Sequence, residues 1–298
     1  MFSKGNKQPF YCNINRVIFT DLSPIASDKL LIINHQKMPF DRQTFKTTLK
    51  QLTALNFDPD ERLHYFDITD STNAQLWQII ESDRPLPQIA IARQQTAGRG
   101  QWGRQWLSSQ GGLYLSVALA PHIQASQAPL LTFAIAWGIA TALQRYQIPV
   151  QLKWPNDLIL QSRKLGGIKT ETRIKQQKIV QAIVGVGINW SNRVPEKGIN
   201  LQTYSQSAIP NLETLAAIAV FGILSGYQRL QTENVNAVLT AYEQLLCFPQ
   251  RTLTLNHKSA TIIGVAATGA LKIRLQTPQG PQEIERMPGA IALGYDDL

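Results

Sequence analysis

Three glycines and two arginines lie close together in residues 98–106, Gly-Arg-Gly-Gln-Trp-Gly-Arg-Gln-Trp. Glycines let a backbone approach a ligand and expose its N–H groups. Arg99 and Arg104 add guanidinium groups that suit phosphate or carboxylate. This is not the dinucleotide fingerprint, because no helix obviously begins here and no acidic residue follows about 20 residues later, and the P-loop ending is missing. We predict an anion-binding flap; the alternative is a flexible surface loop.

A second segment, Lys-Trp-Pro-Asn-Asp at 153–157, leads into Lys-Leu-Gly-Gly at 164–167. A strand that ends at Trp154, a turn and a second strand would bring Asp157 and Lys164 into one site. A lysine beside two glycines can neutralise a carboxylate that attacks phosphorus, and a nearby aspartate can orient that lysine or hold Mg²⁺. The alternative is an ordinary hairpin with two charged surface residues.

Two further segments carry weaker signals. Asp70–Asn73 stands at a predicted helix start, where hydroxyls and free N–H groups either cap the helix or hold a polar ligand. Gly185–Trp190 has glycines in a predicted strand, which mark close approach of a ligand or another backbone. Asn189 is suited to an adenine edge and Trp190 to stacking, and a tight strand end is equally plausible.

The positive charge is concentrated around these motifs. The chain has a net charge of +9, and between Arg93 and Lys178 eleven basic residues stand against two acidic ones. The rest of the chain is neutral. Such a window fits an anionic small substrate, nucleic acid or an acidic membrane surface, and the alternative is a solvated basic face.

The elements that must position these residues indicate two folded units. Periodic apolar residues predict helices at 41–55, 72–80, 129–146, 212–230 and 235–246, and strands at 89–93, 112–119, 150–154, 157–160 and 179–188. We expect an α+β fold in residues 61–246, with helices on one side of a mixed sheet. Short strands within 247–298 predict a small β-barrel. Residues 1–60 form an extension of unclear role, with strand-like pieces at 17–20 and 30–34.

Several classes of protein are disfavoured. The longest uncharged apolar run, Leu130–Leu143, is too short for a membrane span. No apolar stretch follows Lys4 and Lys7, so we expect no secretory signal and a cytoplasmic location. Cys12 and Cys247 have no metal-ligand spacing. One helix is legible before residue 61, whereas a DNA-reading helix-turn-helix needs two, so we expect no DNA binding.

Taken in order, the motifs resemble those of the biotin protein ligase family, over residues 63–298. The resemblance implies a class II synthetase-like α/β core with an SH3-like C-terminal domain. It implies a ligase that joins biotin to ATP as biotinyl-5′-AMP and then biotinylates a lysine of the biotin carboxyl carrier domain of acetyl-CoA carboxylase. The matching segments are Ser71-Thr72-Asn73, Gln95 with Gly98-Arg99-Gly100, Gly103-Arg104 with Trp106, Lys153–Asp157, Lys164–Ile168 and Gly187-Ile188-Asn189.

The resemblance also assigns roles to individual residues. It implies catalytic roles for Lys164, Asp157 and Arg99. It implies that biotin lies against Ser71, Thr72, Gln95, Gly98, Arg99, Gly100, Lys164 and Gly167. ATP would contact Arg104, Trp106, Lys153, Asn156 and Asn189. The implied cofactors are ATP and Mg²⁺, the metal through Asp157, with biotin as substrate.

One departure concerns the flap. The family commonly has Gly-Arg-Gly-Arg there, and this chain has Gln101 at the fourth position. We therefore expect the adenylate to be bound less tightly, with Trp102 or a basic residue elsewhere compensating. Gln101→Arg should slow the escape of biotinyl-AMP, and an unchanged release rate would reject this idea.

Two other functions compete with the ligase. A lipoate or octanoate ligase or transferase shares the core but differs in the flap and lacks Lys-Trp-Pro-Asn-Asp. A non-catalytic nucleic-acid-binding protein would use the basic window and its tryptophans, and its binding would depend steeply on salt.

Overall fold

The structure is a computed structural model. It describes residues 40–294, apart from residues 56, 205–207, 248–251, 256–257 and 292. The strand-like pieces expected at 17–20 and 30–34 lie outside the described residues.

Eight strands form one mixed sheet. They are β1 (Leu63–Thr69), β2 (Gln88–Gln95), β3 (Leu113–Leu119), β4 (Ile123–Gln124), β5 (Gln151–Lys153), β6 (Asp157–Leu160), β7 (Arg163–Lys175) and β8 (Lys178–Ile188). Their order is β1-β2-β3-β8-β7-β6-β5, with β4 paired to β8. β1 and β2 are parallel, and the other neighbouring pairs are antiparallel.

Alternation along the strands gives this sheet two buried faces. On β3, Leu115 and Val117 belong to the main core, and Ala118 belongs to a smaller cluster on the other face. Helix α3 (Thr72–Ile80) covers that second face and packs Leu76 into the smaller cluster. The expectation of helices on one side only was therefore wrong, because α3 buries its own apolar stripe on the opposite face.

The remaining long helices cover the main core. They are α1 (Arg42–Leu52), α4 (Ala128–Gln144), α5 (Leu212–Thr232) and α6 (Val235–Glu243), and the short α2 (Pro59–Arg62) precedes β1. α4 and α5 lie in close contact because Gly138, Gly222 and Gly226 meet there without side chains. By length and composition the segment Ala125–Gln144 is suited to cross a membrane, but 67% of it is buried, as in the core helix of a soluble protein.

The C-terminal strands form a second, antiparallel sheet. They are β9 (Thr252–Leu255), β10 (Lys258–Val265), β11 (Leu271–Thr277) and β12 (Gly280–Arg286), in the order β12-β11-β10-β9. Hydrogen bonds attach this sheet to the larger one and to α6. The indole Nε1 of Trp154 donates to the Gly269 carbonyl at 3.0 Å, and the Val265 amide donates to Glu243 at 2.7 Å.

The predicted fold class is confirmed: a mixed α/β core carries a small separate sheet consistent with an SH3-like domain. The predicted helices are present with ends shifted by a few residues. Three strands of the larger sheet were missed: β1, β7 and the two-residue β4. Six of the thirteen residues of β7 are charged, so its sequence lacks the apolar alternation that marks a strand. The division at residues 61 and 247 stays a prediction.

Candidate functional site

A cleft of about 290 Å³ opens on the face of the larger sheet that α3 covers. Gly185 and Gly187 of β8 contribute to its floor, between core residues that point the other way. Side chains at these glycines would collide with Asn73 and Trp106, respectively. The close approach predicted for these glycines is thus made by two side chains of the cleft wall.

Most of the predicted site residues meet in this cleft. Flap residues and the Lys-Trp-Pro-Asn-Asp turn lie on its rim, together with the lysine before the paired glycines. The lining includes Ser71, Thr72, Gln95, Arg99, Gly100, Arg104, Trp106, Lys153, Asn156, Asp157, Lys164 and Gly167.

One end of the cleft is a network of uncharged polar groups. Gln95 Oε1 accepts a hydrogen bond from the Thr72 amide at 2.9 Å and lies 3.1 Å from the Thr72 hydroxyl. Ser116 Oγ lies 2.7 Å from both Thr72 Oγ1 and Asn73 Oδ1. This end is equipped for a neutral polar ligand group rather than for an anion.

Thr72 and Gln75 have the types and spacing of a capping box, but α3 does not begin with one. The N-cap is Ser71, which forms no side-chain cap bond. The Thr72 hydroxyl is directed to Gln95, and the Gln75 side chain donates to Asp70 at 3.2 Å. The Thr72 hydroxyl therefore belongs to the cleft network and does not cap the helix.

The other end of the cleft carries the lysine of the Lys-Leu-Gly-Gly segment. Lys164 Nζ lies 2.7 Å from Asp157 Oδ1 and 5.3 Å from the centre of the Trp106 ring. The tight turn between β6 and β7 produces this pair, and its register sets Asp157 opposite Gly167. An ammonium held by one carboxylate and one aromatic face is fixed in position for an anionic ligand.

The glycine-rich flap is a β-hairpin. Arg99 and Gln105 form an antiparallel bridge, and the Gly100 amide donates to the Arg104 carbonyl at 2.7 Å. At the tip, the Arg104 amide donates to Gln101, and the two central residues have φ values of 59° and 70°. These angles and the hydrogen bond are typical of a type I′ turn. Arg99 and Arg104 line the cleft, and within the described residues neither guanidinium forms an ion pair.

Lys153 is a buried cation at the back of the same site. Its side chain is 6% exposed, and burial lowers its pKa below the ordinary value, although Asp157 acts in the opposite direction. Asn156 is fixed in the turn because its Nδ2 donates to the Ile168 carbonyl. The turn thus combines a positioned amide with a charge that is costly to bury, which favours an anionic partner.

Glu171 and Lys169 line the cleft wall and were not predicted from the sequence. Glu171 accepts a hydrogen bond from Trp77 Nε1 at 2.8 Å. It also forms an ion pair with Lys169, with 3.0 Å between the charged atoms. Burial would raise the pKa of Glu171, but these bonds outweigh it and hold the pKa below its usual value. Their positions depend on the register between β7 and β8, which no local motif reveals.

Two predicted site residues lie outside the cleft lining. Gly98 forms the base of the hairpin, packed against Ser108. The Asn189 amide is used internally: its Nδ2 donates to the Lys164 and Ile199 carbonyls at 3.3 and 3.2 Å, and its Oδ1 accepts from Asn192 at 3.0 Å. Their proposed contacts with biotin and adenine stay predictions.

Comparison with known proteins gives related chains. Residues 65–189 match the model of the biotin/lipoate A/B protein ligase family. The chain is 33% identical over 205 residues to the bifunctional ligase/repressor BirA of Escherichia coli, covering 67% of this chain and 64% of that protein. It is 32% identical over 133 residues to a biotin–[acetyl-CoA-carboxylase] ligase of Paracoccus denitrificans, covering 44% and 55%.

A solved structure with the same architecture is the biotin protein ligase of Aquifex aeolicus in complex with biotin and ATP. It is 26% identical, with a TM-score of 0.59, and the match covers 75% of this chain and 95% of that chain. The chain spans 40% of the length of the Bacillus subtilis BirA and 64% of that of the Escherichia coli protein. Motifs, fold and relatives agree: residues 65–189 match the model of the biotin/lipoate A/B protein ligase family, and the chain is similar to biotin protein ligases in sequence and in fold.

Proposed function

We propose that this chain is an ATP-dependent biotin protein ligase. In the first step the biotin carboxylate attacks the α-phosphorus of ATP, which forms biotinyl-5′-AMP and releases pyrophosphate. In the second step the amine of a carrier lysine attacks the acyl carbon, which forms an amide and releases AMP. The proposed carrier is the biotin carboxyl carrier domain of acetyl-CoA carboxylase.

One observation carries the proposal: the arginines of the flap and Lys164 line the same cleft. Joining a carboxylate to a triphosphate requires two anions to approach, and fixed positive charge offsets their repulsion. Arg99, Arg104 and Lys164 supply that charge, and Asp157 holds the Lys164 ammonium in place.

The polar end of the cleft suits the head of biotin. Biotin carries a neutral ureido ring, which needs hydrogen-bond donors and acceptors rather than charges. Ser71, Thr72 and Gln95 are the groups we assign to it, and the glycine floor at 167 leaves room for the acyl chain. The carboxylate would then lie near Lys164.

A Mg²⁺ site in this cleft would need the phosphates of the nucleotide as ligands. No group of three or more His, Cys, Asp or Glu side chains suited to a metal occurs in the described part of the chain. Mg²⁺ commonly binds one or two carboxylates together with substrate phosphates. Asp157 is the carboxylate we assign to it, and when bound the ion would neutralise phosphate charge.

The decisive experiment mixes the purified chain with MgATP, labelled biotin and an apo biotin carboxyl carrier domain. We expect the label on one lysine of the carrier, and biotin-dependent exchange of pyrophosphate into ATP. Exchange that depends on lipoate but not on biotin would replace the proposal by a lipoate ligase. No exchange with either acid, together with salt-dependent binding to DNA or RNA, would favour the nucleic-acid-binding alternative. A cytoplasmic location remains a prediction.

A further inference from the structure

The tip of the flap carries an unusual residue for its backbone geometry. Trp102 occupies the first central position of the type I′ turn with a φ of 59°, and it is 64% exposed. This position normally holds asparagine, aspartate or glycine, because a positive φ is unfavourable for a bulky side chain. A large aromatic residue here costs energy both in backbone conformation and in exposed apolar surface, which points to a role for the ring.

The Trp102 ring has a neighbour in the C-terminal segment. The ring lies beside Gly289: a Cβ added to Gly289 would be 3.7–3.8 Å from the indole atoms, an ordinary van der Waals distance. Gly289, Ile291 and Leu293 also line the cleft, on the wall that the flap tip reaches. The flap tip and the segment around Gly289 are therefore neighbours although they are distant in sequence, and together they border the cleft.

We infer that Trp102 is a positioning residue that holds the flap tip against Gly289, so that the cleft stays closed over the activated acyl-adenylate. This inference rests on the proposed function. A mixed anhydride is lost when water reaches it or when it diffuses away, so a closed cleft preserves it for the carrier lysine. The neighbouring Gln101 has no charge with which to bind the adenylate, and the Trp102 ring retains the adenylate by keeping the flap in place.

The test uses Trp102→Asn, which removes the ring and gives the turn its preferred Asn-Gly sequence. The hairpin should therefore remain formed. We expect biotinyl-AMP to escape about two- to tenfold faster, measured as release of labelled adenylate and as labelling of amines on a bystander protein. Biotin-dependent pyrophosphate exchange should stay within about twofold of wild type.

Two further variants sharpen the result. Trp102→Phe retains an aromatic ring and should restore most of the retention. Leu107→Asn makes a matched change at a residue that is 62% exposed, and it should leave escape unchanged. Escape at the wild-type rate in Trp102→Asn would overturn the inference.

A second measurement needs no substrate. Trypsin cleaves after arginine, and the flap contains Arg99 and Arg104. We expect faster cleavage there in ligand-free Trp102→Asn than in wild type, because the tip is no longer held. If wild type shows no biotin-dependent exchange, the proposed function fails, and this comparison alone decides whether Trp102 holds the flap.

Discussion

Lys164 contributes a positive charge to the cleft, and this charge is paired with a carboxylate. Its ammonium pairs with Asp157 at 2.7 Å and lies over the Trp106 ring. The Asp157 side chain is 14% exposed, so removing the lysine leaves a nearly buried carboxylate. Activity and stability should therefore both respond to this residue, and they need separate measurements.

Lys164→Ala should lower the rate of biotin-dependent pyrophosphate exchange about 100- to 1000-fold, because a preorganised cation at the reacting phosphate is lost. The protein should remain folded by circular dichroism, with a lowered Tm. Lys175→Ala, at the exposed end of β7, is the matched control and should keep full exchange.

Adding Asp157→Asn to Lys164→Ala should recover part of the Tm, because the negative charge that Lys164 had neutralised is removed. It should not recover exchange. Normal turnover in Lys164→Ala would contradict the assigned role, and recovery of both properties in the double variant would assign the pair to stability alone.

Lys153 makes the stability depend on pH. Burial lowers its pKa in the folded protein below the ordinary value of 10.5. Between the lowered pKa and 10.5 the unfolded chain therefore binds more protons at this site than the folded chain does. The cost of burying the charge is fully present below the folded pKa and is relieved as the pH rises through this window.

We therefore expect the free energy of unfolding of wild type, minus that of Lys153→Met, to increase between pH 7 and pH 10 in urea titrations. The difference isolates the site from other groups that titrate in alkali. A difference that decreases over this range would show that the pKa of Lys153 is raised.

At the scale of elements, the contact between α4 and α5 supports the sheet that carries the cleft. Gly138 and Gly222 bring the two backbones together, and an added Cβ on Gly222 would lie 2.6 Å from Cα of Ile139. Backbone atoms on rigid helices do not move aside cheaply.

Gly222→Ala should therefore destabilise the protein by about 1–3 kcal/mol, measured by urea unfolding, although alanine has the higher helix propensity. Gln228→Ala, on an exposed position of the same helix, is the control for propensity and should change stability little. An alanine at 222 that stabilises the protein would mean that the helices separate easily.

Local sequence patterns predicted the long helices and most strands, but not what depends on register or distance. The pairing of Asp157 with Lys164 was predictable because one short hairpin joins them. The hydrogen bond from Trp77 to Glu171 was not, because it joins α3 to a strand that lies far away in sequence. Asn189 shows the limit in the other direction: its amide suits an adenine edge, but in the fold it bonds to Lys164, Ile199 and Asn192.

Across the whole molecule, the two sheets meet at the functional turn. Trp154 is 4% exposed, and its Nε1 donates to the Gly269 carbonyl of the C-terminal sheet. The next residue of the turn, Pro155, accepts a hydrogen bond from the buried Tyr242 hydroxyl at 3.1 Å. The turn that bears Asp157 is thus held from the C-terminal sheet and from α6 together.

Trp154→Phe should loosen this junction, because it keeps an aromatic ring but removes the donor and leaves a buried carbonyl unpaired, at a cost of about 1–3 kcal/mol. We expect faster hydrogen exchange in β10 and β11, and a KM for ATP raised several-fold, since the C-terminal segment and the turn border one cleft. Trp190→Phe, a tryptophan partly buried against the main core, should change neither. If hydrogen exchange in β10 and β11 of Trp154→Phe proceeds at the wild-type rate, the second sheet is attached without this bond. A raised KM for ATP would then have to come from the turn alone.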